Sequence, residues 1–289
     1  MLNIQEILKK VKELEIKSRK LTNHLFTGEY HSAFKGRGMS FKEVKEYSAG
    51  DDIRFIDWNV SARMNGTYSK VFEEERELNV YLLVDVSASS FVGFKHQNKQ
   101  ELITEICAVL AFSALSNNDN TGVIFFSDKV EKYIPAAKGR EHVLYIVREL
   151  LGYKSSNKKT EITKALQYVN NIAKHKSIVF VLSDFADEGY ANTLKSTAKR
   201  HDVIGVGIVD ATESKLPKMG LIELEDSETG KTILLDTSDS FTRKNLSHQY
   251  SKMDADTSSY FRKAGADLLQ ITIQEDYVKK LQQFFLKRR

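Results

Sequence analysis

The chain has 289 residues, 41% of them hydrophobic, enough to bury a sizeable core in one large domain or two smaller ones. Its 43 basic and 39 acidic residues leave a net charge of +4, too near balance for a dedicated nucleic-acid binder. No apolar run is long enough to span a membrane, the N-terminus MLNIQEILKKVKELEIKSRK is too charged for a secretory signal, and the single cysteine, Cys107, excludes an intramolecular disulfide framework, so a soluble cytoplasmic protein is expected.

The first segment places Ile4, Ile7, Val11, Leu14, Leu21 and Leu25 at helical spacing with Lys and Glu between them, which predicts an amphipathic helix. A loop-rich stretch is expected from Gly28 to about Tyr68, containing GRG, SAGDD and MNG. From Asn79 the pattern becomes regular. NVYLLVDV reads as a strand buried on both faces, and Leu102, Ile103, Ile106, Cys107, Leu110 and Ala114 mark a helix. TGVIFFS is the next strand, with KVEKYIP pairing back as a hairpin, and helices follow around Val143–Leu151 and Ile162–Ala173. SIVFVLSD and DVIGVGIVD are two more buried strands, separated by a helical stretch around Tyr190–Arg200. LIELEDSETGKTILLD reads as a hairpin turning at Ser227–Gly230; a helical stretch near Phe241–Ala264, the strand LLQITI and a helix carrying Val278, Leu281 and Phe285 close the chain. Strands alternating with helices imply an α/β doubly wound, mostly parallel sheet with right-handed crossovers.

In such a sheet ligands bind beyond the carboxyl ends of the strands, near the point where strand order reverses. Asp85, Ser87 and Ser89 leave the first strand in alternation, Asp184 ends SIVFVLSD, and Thr160 precedes the helix ITKALQYV on a loop able to reach the same edge. Two carboxylates and three hydroxyls are hard oxygen donors, a set that suits Mg2+, with Mn2+ or Ca2+ as alternatives. Catalytic patterns compete poorly. Neither serine lies in a G-x-S-x-G elbow, no G-x-x-x-x-G-K-[ST] loop occurs, GRGMSF is a lone G-x-G that follows no strand, and the seven histidines lack zinc-ligand spacing. An aspartyl-phosphatase would place a second acid where Ser87 stands.

D-x-S-x-S after a buried strand, then Thr in TEITKAL, then Asp in VLSDF, resembles the metal-ion-dependent adhesion site of von Willebrand factor A domains. The resemblance assigns the metal to Asp85, Ser87, Ser89, Thr160 and Asp184, with a partner's carboxylate completing the shell; Ser90 stands where that family commonly has Met. The preceding segment GRGMSFKEVKEYSAGDDIRFIDWNVSARMNGTYSKVFEEE is similar to the signature of the bacterial domain-of-unknown-function 58 family. The matching positions are Gly38, Phe41, Tyr47, Gly50, Asp51, Asp52, Arg54, Ile56, Asp57, Trp58, Ala62, Arg63, Lys70, Phe72 and Glu75. Members often carry membrane-spanning N-termini, and this chain reads as the soluble type. The resemblance implies residues 1–77 as an N-terminal helix and signature segment, residues 78–289 as a von Willebrand factor A-like domain, and an adaptor or co-chaperone role with a MoxR-type AAA+ ATPase. A metal-assisted phosphohydrolase using the same strand-end site is the alternative.

Each feature also has a plainer explanation. The Asp85 set would otherwise be a strand-end turn bonding its own backbone, and Thr160 an N-cap. Arg54, Asp57, Trp58 and Arg63 are expected to form a scaffold, the only tryptophan buried as an anchor while Asp and Arg satisfy loop backbone and each other; a partner-contact surface is the other reading. EEERE at 73–77 reads as a solvated edge, Cys107 as an inert core residue, and the basic residues of KKLQQFFLKRR as flanking a packed stripe at a helix end.

Overall fold

The computed structural model describes residues 12, 13, 15, 40–64, 66–73, 78–87, 99–153, 159–210, 218, 220–225 and 232–288. The six apolar positions of the expected N-terminal helix and the turn at Ser227–Gly230 lie outside them; the described Lys12, Glu13 and Glu15 are helical. Two compact units are present, a small one spanning Phe34–Leu78 and a large one whose body is Asn79–Arg289.

The small unit corrects the loop-rich expectation for the GRG-to-MNG stretch. Strand β1 (Ser40–Glu46) pairs antiparallel with β2 (Tyr68–Glu73), with a register irregularity between Phe41 and Glu43. Between them lie a 3-10 turn (Ile53–Phe55) and the short helix α1 (Trp58–Met64). The acidic signature residues order this connection. Asp51 accepts from the Ser48 amide at 3.0 Å and from Lys45 Nζ at 2.7 Å. Asp52 accepts from the Arg54 amide at 3.0 Å and is gripped by the Arg54 guanidinium, Nε at 3.0 Å and Nη2 at 2.6 Å from Oδ2. Asp57 Oδ1 caps α1 by accepting from the amides of Asn59 and Val60 at 3.0 and 3.2 Å. Gly50, at φ +115°, turns the chain where a side chain would be strained. The acids and Arg54 thus do the scaffold work expected of them, whereas Trp58 does not: it is 69% exposed on α1, so it is no buried anchor. A seven-residue helix whose described residues include none that is buried has no core in which to seat an indole.

The large unit follows the expected alternation. Its elements are β3 (Asn79–Asp85), α2 (Lys99–Ser116), β4 (Asn120–Phe126), β5 (Val130–Ala137), α3 (Arg140–Gly152), α4 (Ile162–Ile172), β6 (Ile178–Ser183), α5 (Ala191–Arg200), β7 (Asp202–Val209), β8 (Leu221–Glu225), β9 (Thr232–Asp236), α6 (Ser240–Ala264), β10 (Asp267–Thr272) and α7 (Tyr277–Lys287). Six strands form one sheet in the order β10–β7–β6–β3–β4–β5, parallel throughout except for β5, which pairs antiparallel with β4; β8 and β9 make a separate antiparallel hairpin. This is the doubly wound, mostly parallel α/β sheet expected from the alternation of strands and helices.

Both faces of the sheet are covered, which is why β3, β4, β6 and β7 are apolar without alternation. On one face Tyr81, Leu83, Ile124, Phe126, Val179 and Val181 pack with Ile162, Leu166 and Val169 of α4, Leu194 of α5 and Phe261 of α6 in a continuous core. On the other, α2 packs against β3, β4 and β7 with apolar residues on every side, and Phe180 of β6 meets Phe285 of α7 edge to face at 6.4 Å. Cys107 is fully buried in α2, and burial pushes its thiol far above the ordinary range, as an inert core cysteine requires.

Candidate metal centre

From β3 the chain passes through α2 to β4 on one side; from β6 it passes through α5 to β7 on the other. Strand order therefore reverses at the β3–β6 seam, and the carboxyl ends of these two neighbours flank a crevice. Asp85 ends β3 and Ser183 ends β6, so Asp85 and Asp184 emerge side by side.

Asp85 is the centre of the cluster. It is 1% exposed, and Ser87 beyond it is fully buried. Asp85 Oδ1 accepts from the Ser87 amide at 2.9 Å, a local turn that folds the chain back over the strand end. On the other carboxylate oxygen, Oδ2, the Ser183 hydroxyl donates at 2.6 Å and the Thr160 hydroxyl lies at 3.5 Å. Burial, and then the negative charge of Asp184, push the Asp85 carboxyl up to about 7, while hydrogen bonds from Ser183 and Ser87 act against that rise.

Thr160 is held by its loop and does not cap α4. The N-cap residue is Glu161, which makes no side-chain cap bond; Asp187 Oδ2 instead accepts from the Ile162 amide at 2.8 Å. The Glu161 amide donates to the Ser127 carbonyl at the end of β4 at 2.8 Å, which ties the Thr160 loop to the same sheet edge. Asp184 is presented by an unusual backbone. Phe185, immediately after it, sits at φ +56° in the left-handed region, a strained conformation for an aromatic residue. It is retained because the Phe185 ring is 2% exposed, edge-on to Phe261 at 5.2 Å, and its amide donates to the Ser183 hydroxyl at 3.1 Å. Asp184 Oδ1 accepts from the Ala186 amide at 3.2 Å, and Lys99 Nζ lies 3.4 Å from its Oδ2.

Four of the five expected residues, Asp85, Ser87, Thr160 and Asp184, are thus brought to one strand edge; Ser89 lies outside the described residues. Two further participants, Ser183 and Lys99, were not anticipated from the sequence. Ser183 had a signal: it directly precedes Asp184 at the end of a parallel strand. Lys99 had none, since a lysine in a first helical turn normally belongs to a solvated face.

The donors fit a divalent cation. Among the described residues no cluster of three or more His, Cys, Asp or Glu exists, so the acids here number two and hydroxyls supply the other oxygens. Hard oxygen donors around a buried and a partly buried carboxylate that repel each other favour Mg2+, Mn2+ or Ca2+ over softer ions.

Residues 43–256 match the family described as "Protein of unknown function DUF58". The chain belongs to this family. The uncharacterized protein Rv1480 of Mycobacterium tuberculosis (strain H37Rv) is 24% identical over 96% of this chain and 89% of its own length. BatB of Bacteroides thetaiotaomicron, a conserved hypothetical protein, is similar in structure, with a TM-score of 0.49 at 16% identity over 73% of this chain and 98% of that one. The SpRpn10 VWA domain aligns at a TM-score of 0.41 and 10% identity, covering 71% of this chain and 93% of its own. The DUF58 protein described here has the doubly wound, mostly parallel α/β sheet expected of it, and no helix of its described residues is long and apolar enough to cross a membrane.

Proposed function

We propose that this DUF58 protein is a metal-dependent protein-binding module. The observation that carries the proposal is the convergence of Asp85, Ser87, Thr160 and Asp184, from three separate loops, at the β3–β6 strand ends. Isolated turns would need no oxygen partners from other loops.

In this reading Asp85, Ser87, Ser89, Thr160 and Asp184 hold a hydrated Mg2+, with Mn2+ or Ca2+ as substitutes. The ion supplies an exchangeable position at which a carboxylate from another protein docks. The chain's own part is to hold the oxygens in place. Ser183 fixes the Asp85 carboxylate, Phe185 aims Asp184, and the Ser127–Glu161 bond anchors the Thr160 loop. The partner implied by the family resemblance is a MoxR-type AAA+ ATPase, with this chain as its adaptor or co-chaperone in the cytoplasm. Residues 1–77 then carry the family-specific segment and 78–289 the docking domain.

The test is capture of a MoxR-type ATPase from extract, using wild type and Ser87→Ala/Ser89→Ala, each in Mg2+ and in chelator. Retention only by wild type in Mg2+ is expected. Equal retention in all four conditions would rule out metal-bridged docking.

A further inference from the structure

Lys99 is 4% exposed, deeper than lysines usually lie, and its ammonium sits 3.4 Å from Asp184 Oδ2 with both side chains largely withdrawn from water. It opens α2, so the first described residue of the helix after Asp85 and Ser87 in the chain meets Asp184 of the same site. A buried ammonium here costs desolvation that an apolar residue at this position would not.

We infer that Lys99 is a tethered third charge of the metal site, weakening the binding of a divalent cation alone and making the loaded site electropositive. This rests on the metal reading above. With both acids ionised, the two carboxylates and one ammonium among the described residues leave a single negative charge; a divalent cation converts it to a single positive one. Without Lys99 the loaded site would be formally neutral and would draw an acidic group less strongly. With it, the positive site is neutralised by one carboxylate. Metal and carboxylate therefore bind cooperatively, and each raises the affinity of the other by the same factor. The specificity this confers is for an acidic side chain or terminus, as opposed to a neutral oxygen ligand.

The experiment measures Mn2+ affinity by electron paramagnetic resonance of the free ion, with and without acetate as the carboxylate probe. Wild type, Lys99→Met, Lys99→Gln and Lys99→Arg are compared, each checked for a cooperative melting transition. Both neutral variants should bind Mn2+ about fivefold or more tightly than wild type without acetate, and acetate should tighten Mn2+ on wild type more than on either of them. Lys99→Arg should resemble wild type. If one neutral variant fails to melt cooperatively, the other decides. Equal Mn2+ affinity in wild type and neutral variants, an equal acetate effect, or an arginine variant that behaves like the neutral ones would each overturn the role of the charge. If wild type and every variant fail to bind Mn2+, the metal site itself is lost, and the role of Lys99 with it.

Discussion

The hydroxyl of Ser183, the last residue of β6, donates to Asp85 Oδ2 at 2.6 Å across the seam between the two central strands. Ser183 Oγ in turn accepts from the amide of the strained Phe185 at 3.1 Å, so one small side chain joins both acid-bearing loops. Ser183→Ala should destabilise the fold by about 1–3 kcal/mol, the range for a buried polar group left unpaired. It should also weaken metal binding by roughly tenfold, as loss of a ligand-orienting partner does. Urea unfolding in chelator and a Mn2+ titration check the two effects separately.

Asp85 holds a stability cost in the metal-free protein. Its folded-state pKa is raised to about 7 from the ordinary 3.8, so the folded state favours the protonated form. Above pH 3.8 the unfolded chain gives up this proton more readily, and stability is lost as pH rises toward about 7, with the full cost present beyond it. Asp85→Asn should therefore be more stable than wild type in chelator at pH 8, on the order of 2–4 kcal/mol. The difference should shrink toward pH 4. Mn2+ should raise the melting temperature of wild type and leave that of the variant unchanged.

His201 titrates in the opposite sense. It is 3% exposed at the end of α5, its Nδ1 accepts from the Ser177 amide at 3.3 Å, and burial followed by the neighbouring Arg200 charge holds its pKa below the usual value. The unfolded chain takes up the proton first, so this contribution to stability is present above about pH 6.5 and is lost as pH falls below it. His201→Asn preserves an acceptor for Ser177 without the titration. Its unfolding free energy should fall less than that of wild type between pH 7 and pH 5, as measured by urea denaturation.

Gly205 of β7 lies against α6 with no room for a methyl group. A Cβ there would come within 2.6 Å of Phe261 Cε1 and 2.9 Å of Leu268 Cδ1. Gly205→Ala should cost about 1–3 kcal/mol through overpacking, and Phe261→Leu in the same chain should recover part of that loss. Thermal unfolding of the single and double variants reads out both.

The parallel sheet was legible because β3, β4, β6 and β7 are covered on both faces and so carry unbroken apolar runs ending in polar residues. Asp85, Ser87 and Asp184 were legible for the same reason: the strand ends fix where the next side chains emerge. The small unit was less so. In β1 and β2 the alternation is diluted by Lys, Glu and Ser, and the pairing of Val44 with Lys70 is a tertiary fact with no local trace. The exposure of Trp58 goes with a short helix in which no residue is buried, and the burial of Lys99 with where its helix begins relative to Asp184. Neither is written in periodicity.

Trp58 is the chain's single tryptophan, and it stands largely in water. Tryptophan emission, excited at wavelengths the tyrosines do not absorb, is therefore a beacon for the signature segment, which precedes the first strand of the six-stranded sheet at Asn79. A ligand that covers this indole would shift its emission to the blue, and one that leaves it in water would not. Two modes of engagement could thus be told apart in a single cuvette, without a label.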